Sequence, residues 1–197
     1  MARPNLSEEK RAKFLPVIAQ CFVERGYRRT TTAELAEACG VQETILYRLW
    51  PGKKEMFLAA IEYVYQLSAR TWQEVQDRSA QGGSRAERLL DYESRHLGEF
   101  GLYRIIFAGL SETDDPEIRA ALSRMFNGFH REISSRVGEH RRRRKGGSPV
   151  DVEQAAWAIV GLGLVANLSR DVKLFGEKKR QSLIAEVGRL LLEGEIA

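Results

Sequence analysis

The sequence predicts an all-α protein, and three observations predict it. Leucine, alanine, glutamate and arginine, all good helix formers, dominate the 197 residues. Apolar residues recur at helical spacing, while two-residue alternation between Gly or Asn turns is absent. Polar capping residues and helix-breaking Gly and Pro punctuate the chain at intervals of helix length.

Taken in order, Ser7 can cap a first helix whose apolar residues Phe14, Ile18, Cys21 and Phe22 follow the i, i+4, i+7, i+8 rule; Gly26 ends it. Thr31 followed by Glu34 is a capping box, opening a short helix that contains Leu35 and Ala36 and closes at Gly40. Gln42 to Leu49 reads as a third short helix, broken by Pro51-Gly52. A long fourth helix runs from about Lys53 to Arg78, with Phe57, Ala60, Ile61, Val64 and Leu67 on one face. Gln81-Gly82-Gly83 is a loop, and Ser84 with Glu87 is a second capping box. Asp115-Pro116 and Ser148-Pro149 each set a cap before proline at a first helical position. They open helices over about 116–145 and 149–172, and a last helix covers about 177–193.

Composition narrows the function classes. With 43% hydrophobic and 29% charged residues the chain can build a core, which excludes a disordered segment. Its length corresponds to about 1.3 average domains. The longest uncharged stretch, Gln154 to Ser169, is short of the roughly 18 residues of a membrane span, so no transmembrane helix is expected. Met1 to Asn5 lead directly into charged residues, without the apolar run of a signal peptide. Cys21 and Cys39 are too few for a disulfide framework or a four-ligand metal site and read as small core hydrophobes. A reduced, cytoplasmic protein without membrane association is expected. Residues 1–58 carry 10 basic and 7 acidic side chains, net +3; residues 59–197 carry 21 and 20, net +1, even with the run Arg141 to Lys145. The basic front end permits a polyanion partner.

The stretch Thr31 to Tyr47 is the informative one. Two short helices joined at Gly40, with a longer helix covering their apolar side, make a helix-turn-helix. The second must show a polar face to enter a major groove about 12 Å wide. Gln42, Glu43, Thr44, Tyr47 and Arg48 supply that face, leaving Val41, Ile45 and Leu46 for the core. The run Gly26-Tyr27, Thr30-Thr31-Thr32, Leu35-Ala36, Cys39-Gly40-Val41, Leu46-Tyr47-Arg48 and Lys53 resembles the DNA-binding region of the tetracycline-repressor (TetR) family over about residues 10–60.

The resemblance implies a helix-turn-helix domain over 1–52 and a helical ligand-binding and dimerisation domain over 53–197. It implies a homodimeric transcriptional regulator, usually a repressor released from a near-palindromic double-stranded operator by a small molecule. Carried over by position, Thr31 and Thr32 would lie against a phosphate. Gln42, Glu43 and Thr44 would face base edges, and Tyr47 and Lys53 would clamp the backbone. Ile45, Leu49-Trp50 and Ala33 depart from the family's usual residues, which bears on the operator sequence rather than on the fold. A helical interaction module without DNA binding, or an activator of the same fold, are the alternatives.

Other patterns point to less. Gly161 to Ala166 matches a dinucleotide fingerprint but lies inside a helical pattern with no strand before it. His96, His130 and His140 lack partners at metal-ligand spacing, so neither metal nor cofactor is expected. No nucleophile elbow, paired-acid arrangement or phosphate loop argues for an enzyme. Asn167-Leu168-Ser169 is a glycosylation sequon only in a secreted protein. The arginine run reads as a solvated helix end. Ala156, Ile159, Val160, Gly163 and Asn167 form one helical stripe and Leu183, Val187, Leu190 and Leu191 another, the candidate dimer interface. Trp72, Tyr103, Phe107, Phe126, Phe129 and Trp157 are the aromatic residues from which an effector pocket could be built, and the scarcity of charge among them suggests an apolar or aromatic ligand.

Overall fold

The computed structural model describes residues 6–77, 83–96, 98, 101–144 and 150–193. Among them every regular element is helical: α1 (Leu6–Arg25), α2 (Thr32–Ala38), α3 (Glu43–Tyr47), α4 (Lys53–Asp77), α5 (Arg85–His96), α6 (Arg104–Leu110), α7 (Pro116–Arg144), α8 (Val152–Asp171), α9 (Glu177–Ser182) and α10 (Gly188–Glu193). A π-helical turn, Leu183–Val187, joins the last two, so the final stretch is one path with a widened middle.

The chain packs as two compact units. The first comprises Met1–Leu67 with Phe100–Met125, the second Ser68–Glu99 with Phe126–Ala197. This division differs from a cut at residue 52. The first turns of α4 supply Met56, Phe57, Ala60, Ile61 and Val64 to the core of the first unit, and α6 packs on α1. Helices α4 and α7 each continue from one unit into the other.

In the first unit the apolar stripe of α1 (Phe14, Ile18, Ala19, Phe22, Val23) is buried, with α1 packed on α2 and Phe22 against Phe57 of α4; Leu35 and Ala36 of α2 and Leu46 of α3 are buried in the same unit. Phe22, Tyr27 and Phe57 form a ring cluster with centroids 4.9–6.1 Å apart. Cys21, expected on that stripe, is half-buried at its edge. Gly26 (φ +77°) and Gly40 (φ +67°) take the left-handed conformation that ends α1 and turns the chain after α2. Thr30 is fully buried, its hydroxyl donating to the Gly26 carbonyl at 2.7 Å.

The capping boxes form. Thr31 Oγ1 accepts from the Glu34 amide at 3.2 Å, and the Glu34 carboxylate accepts from the Thr31 amide at 2.8 Å. These bonds hold the Glu34 carboxyl below its ordinary range. Ser84 and Glu87 repeat the arrangement at α5 (3.1 and 2.6 Å), and Asp115 accepts from the Glu117 and Ile118 amides at α7. Thr31→Ala is expected to cost about 1 kcal/mol of unfolding free energy, read from urea denaturation, because α2 has no other side-chain cap.

Three expectations need correction. Helix α3 spans only Glu43–Tyr47, because Gln42 and Arg48 are its caps and Leu49 and Trp50 leave the helix to be buried. Helix α8 starts after Asp151, whose side chain accepts from the Gln154 amide at 2.9 Å; Ser148-Pro149 lie outside the described residues. Helix α6 is an element that the sequence pattern does not announce: its cap position, Tyr103, makes no side-chain cap hydrogen bond. Arg78, Gln81-Gly82 and Lys145 also fall outside the described residues. By length and composition α8 is apolar enough to cross a bilayer, with mean hydropathy 1.3 in its best window, although its uncharged stretch alone falls short. Gly161 to Ala166 lie in its middle, with helical geometry and no phosphate cradle.

Candidate nucleic-acid interface

The three-helix core presents α3 by burying only Leu46 among its five residues. Such a short helix is held by tertiary contacts, not by its own hydrogen bonds. Arg11 of α1 donates from Nε to the Leu49 carbonyl at 3.0 Å and lies 5.8 Å over the Trp50 ring, fixing the turn after α3. The residues replacing the family's usual pair at 49–50 thus serve packing.

The sequence-predicted contact residues separate into two groups. Thr31, Gln42, Thr44, Tyr47 and Arg48 are exposed; Thr32, Glu43 and Lys53 are half-buried. Gln42 is the N-cap of α3, yet its side chain makes no cap bond and projects from an extended backbone (φ −77°, ψ 148°). Thr32 Oγ1 donates to the Glu43 carboxylate at 2.8 Å and lies 3.0 Å from Tyr47 Oη. A threonine hydroxyl has one proton, so the Tyr47 hydroxyl donates to Thr32 in turn. This chain ties the start of α2 to both ends of α3 and commits the Glu43 carboxylate to positioning the helix. Lys53, at the first position of α4, donates to the Tyr27 carbonyl at 3.1 Å with its ammonium 4.5 Å from the centre of the Tyr27 ring.

Charge is similarly sorted. Arg25 pairs with Glu34 (2.6 Å), Arg28 with Glu112 (2.8 Å), and Lys54 with Glu117 and Asp115 (2.5 and 3.5 Å). Arg29 and Arg48 are exposed and make no ion pair among the described residues. Arg29, two residues before the cap of α2, was missed as a candidate; its adjacency to Thr31 was the available signal. Burial lifts the Cys39 thiol to about 11 and raises that of Cys21, which leaves both as inert thiols.

The residues considered for other roles are dispersed. Ala156 is fully buried in a cluster with Ile133, Val137 and Leu192, with Ile159 and Val160 packed against it, and Asn167 is buried as well. Gly163, Leu183 and Leu191 are half-buried; Val187 and Leu190 are exposed. The large apolar side chains that α8 leaves exposed are Trp157, Val165 and Leu168, with Val172 at its C-cap. Trp157 is 45% exposed and stacked on His130 at 4.4 Å. Tyr103 and Phe107 pair with each other in the first unit, and Phe126 is half-buried in the second. Trp72 and Phe129 meet in the second unit with ring centroids 5.2 Å apart. Beside them stands a residue the sequence reading missed: Glu93, whose carboxylate accepts from the Trp72 indole N–H at 2.5 Å and which burial pushes up to about 7.

The arginine run is only partly solvated. Arg141 donates to the carbonyls of Val150, Leu191 and Leu192, tying the end of α7 to that of α10, while Arg142 to Arg144 are exposed. His140 is buried against Ser84 (2.8 Å), and burial lowers its pKa; His96 lies against the Tyr92 ring. No three potential metal ligands converge among the described residues.

Comparison with known proteins agrees with this geometry. Residues 15–60 match the family model for bacterial regulatory proteins of the tetR family. A nucleoid occlusion factor SlmA of Pasteurella multocida is 30% identical over 125 residues, 61% of each chain. One from Haemophilus influenzae is 45% identical over 58 residues, 29% of this chain and 27% of the relative. The match therefore spans under two thirds of these relatives' lengths. The crystal structure of a TetR-family transcriptional regulator from Cytophaga hutchinsonii superposes with a TM-score of 0.81 over 100% of both chains at 15% identity, which shows a shared fold. The family model falls on the helix-turn-helix built by α1 to α4, so residues 15–60 form a DNA-binding region of the tetR-family type, and the fold of the chain is that of TetR-family regulators.

Proposed function

We propose that the chain is a cytoplasmic repressor that binds a near-palindromic operator as a homodimer and is released by a small effector held in its C-terminal helices. The observation that carries this is the outward face of α3. Gln42, Thr44, Tyr47 and Arg48 are exposed on a helix whose opposite side is fixed by Leu46. Arg29 and Arg48, which make no ion pair among the described residues, supply positive charge for phosphate oxygens, and Thr31, Tyr47 and Lys53 complete the backbone contacts. Gln42 and Thr44 face base edges, whereas Glu43 orients the helix through Thr32. Two heads must reach successive major grooves about 34–36 Å apart, which calls for a dimer. The exposed face of α8, with Val187 and Leu190 near the C-terminus, supplies an apolar surface for a second copy.

Fluorescence anisotropy against a randomised operator pool at two salt concentrations tests the reading. Arg48→Ala is expected to weaken binding to all sequences and reduce the salt slope by about 0.9, one released counterion. Gln42→Ala is expected to leave the slope unchanged and relax preference at one base position, a discrimination of about 1–3 kcal/mol. Absence of duplex binding at low salt overturns the reading.

A further inference from the structure

We infer that the acidic turn between α6 and α7 is a built-in competitor for DNA phosphate. It holds Arg28 and Lys54 in intramolecular ion pairs and so restrains the affinity of the chain for any duplex. This rests on the DNA-binding reading above and adds an autoinhibitory contact to it. Four of the six residues 112–117 are acidic: Glu112, Asp114, Asp115 and Glu117. They belong to the same compact unit as the helix-turn-helix. Glu112 accepts from Arg28 Nε at 2.8 Å; the carboxylate side chain is 11% exposed and the guanidinium side chain 74%. Glu117 accepts from the Lys54 ammonium at 2.5 Å, and an Asp115 carboxylate oxygen lies 3.5 Å from it. Asp115 is fixed in turn by the Glu117 and Ile118 amides at the start of α7. The hydrogen bond to Glu117, joined by the Asp115 carboxylate, raises the Lys54 pKa against the lowering effect of burial, so the ammonium stays charged.

Both cations stand beside residues assigned to phosphate. Arg28 precedes Arg29 and lies three residues before Thr31, and Lys54 follows Lys53 in the first turn of α4. Their partners lie outside the helix-turn-helix, 84 and 63 positions further along the chain. Arg25, by contrast, pairs with Glu34 inside it. Ion pairs this exposed add little to folding stability, so holding the fold together does not account for two of them on one turn. Their effect on DNA binding is larger. A cation that reaches a phosphate releases a condensed counterion, and each such contact changes affinity by about eightfold over a tenfold range of salt. A carboxylate already on the cation forfeits that gain and repels the approaching phosphate. The near-buried Glu112 is held in place for this, whereas the Arg28 guanidinium remains accessible to a second partner.

Fluorescence anisotropy of the full chain with a random-sequence duplex tests this, the folding of each variant being checked by thermal unfolding. Glu112→Gln combined with Glu117→Gln is expected to tighten binding at least about threefold at low salt. The slope of log affinity against log salt should steepen by about 0.9 for each cation that reaches a phosphate. Asp114 is exposed and makes no ion pair among the described residues. Asp114→Asn therefore removes an equal charge from the same turn without freeing a cation, and is expected to leave the slope unchanged. The gain from Glu112→Gln is expected to vanish when Arg28 is also replaced by alanine. Unchanged or weaker binding by the double variant, an equal gain from Asp114→Asn, or a gain that survives Arg28→Ala overturns the competition while the DNA-binding reading stands. Absence of duplex binding in the wild-type chain and the variants alike overturns both.

Discussion

Replacing Phe57 with alanine is expected to lower the stability of the first unit by about 3–5 kcal/mol and to abolish DNA binding. Phe57 is fully buried, with its ring centroid 4.9 Å from those of both Phe22 and Tyr27. Truncation opens a cavity at the meeting point of α1, the turn after it and α4. The damage extends to the DNA-facing side through Tyr27, whose ring and carbonyl hold the Lys53 ammonium. With five residues, α3 has no independent stability to keep Leu46 seated once that core loosens. Phe57→Leu retains most of the volume and should cost under about 1.5 kcal/mol while keeping measurable operator affinity. Urea denaturation by circular dichroism gives the first quantity and anisotropy the second. Wild-type affinity in Phe57→Ala would mean that α3 is positioned by something other than this core.

The parts of the fold legible in the sequence were those with local causes. Thr31 and Glu34 are three residues apart, and the bonds between them follow from that spacing alone; so do Ser84 with Glu87 and the turn at Gly40. Leu46 inward and Tyr47 outward follow from helical period once the turn is placed. Relations between distant residues were not legible. Nothing near Arg11 indicates that it will hold the carbonyl of Leu49, and nothing near Thr32 indicates that it will take up the Glu43 carboxylate, which on sequence grounds looked free to read a base. Which side of α8 faces the core was not legible for a related reason. A helix with apolar residues nearly all round has no pattern to say which side faces its own core, and the fully buried Ala156 decides that only in three dimensions. Glu93 is one of 27 acidic residues, and its meeting with Trp72, 21 positions earlier, depends on how α4 and α5 pack.

The same residue gives the second large effect, a stability that depends on pH with a sign opposite to the usual acid-denaturation pattern. Burial raises the Glu93 carboxyl from 4.5 to about 7 against the lowering influence of the Trp72 N–H and His96, so the folded chain holds that proton more tightly than the unfolded one. Its contribution to stability is greatest below about pH 4.5 and declines as pH rises toward 7, where the folded form must also ionise. The full difference corresponds to about 3 kcal/mol, reduced toward 1–2 because the side chain keeps some contact with water. Glu93→Gln removes the ionisation while preserving the shape and the acceptor for Trp72. It is therefore expected to raise stability by about 1–2 kcal/mol at pH 8 and to change it little near pH 4.5. Thermal unfolding at the two pH values measures the difference. A variant equally shifted at both would show that Glu93 acts through packing rather than charge.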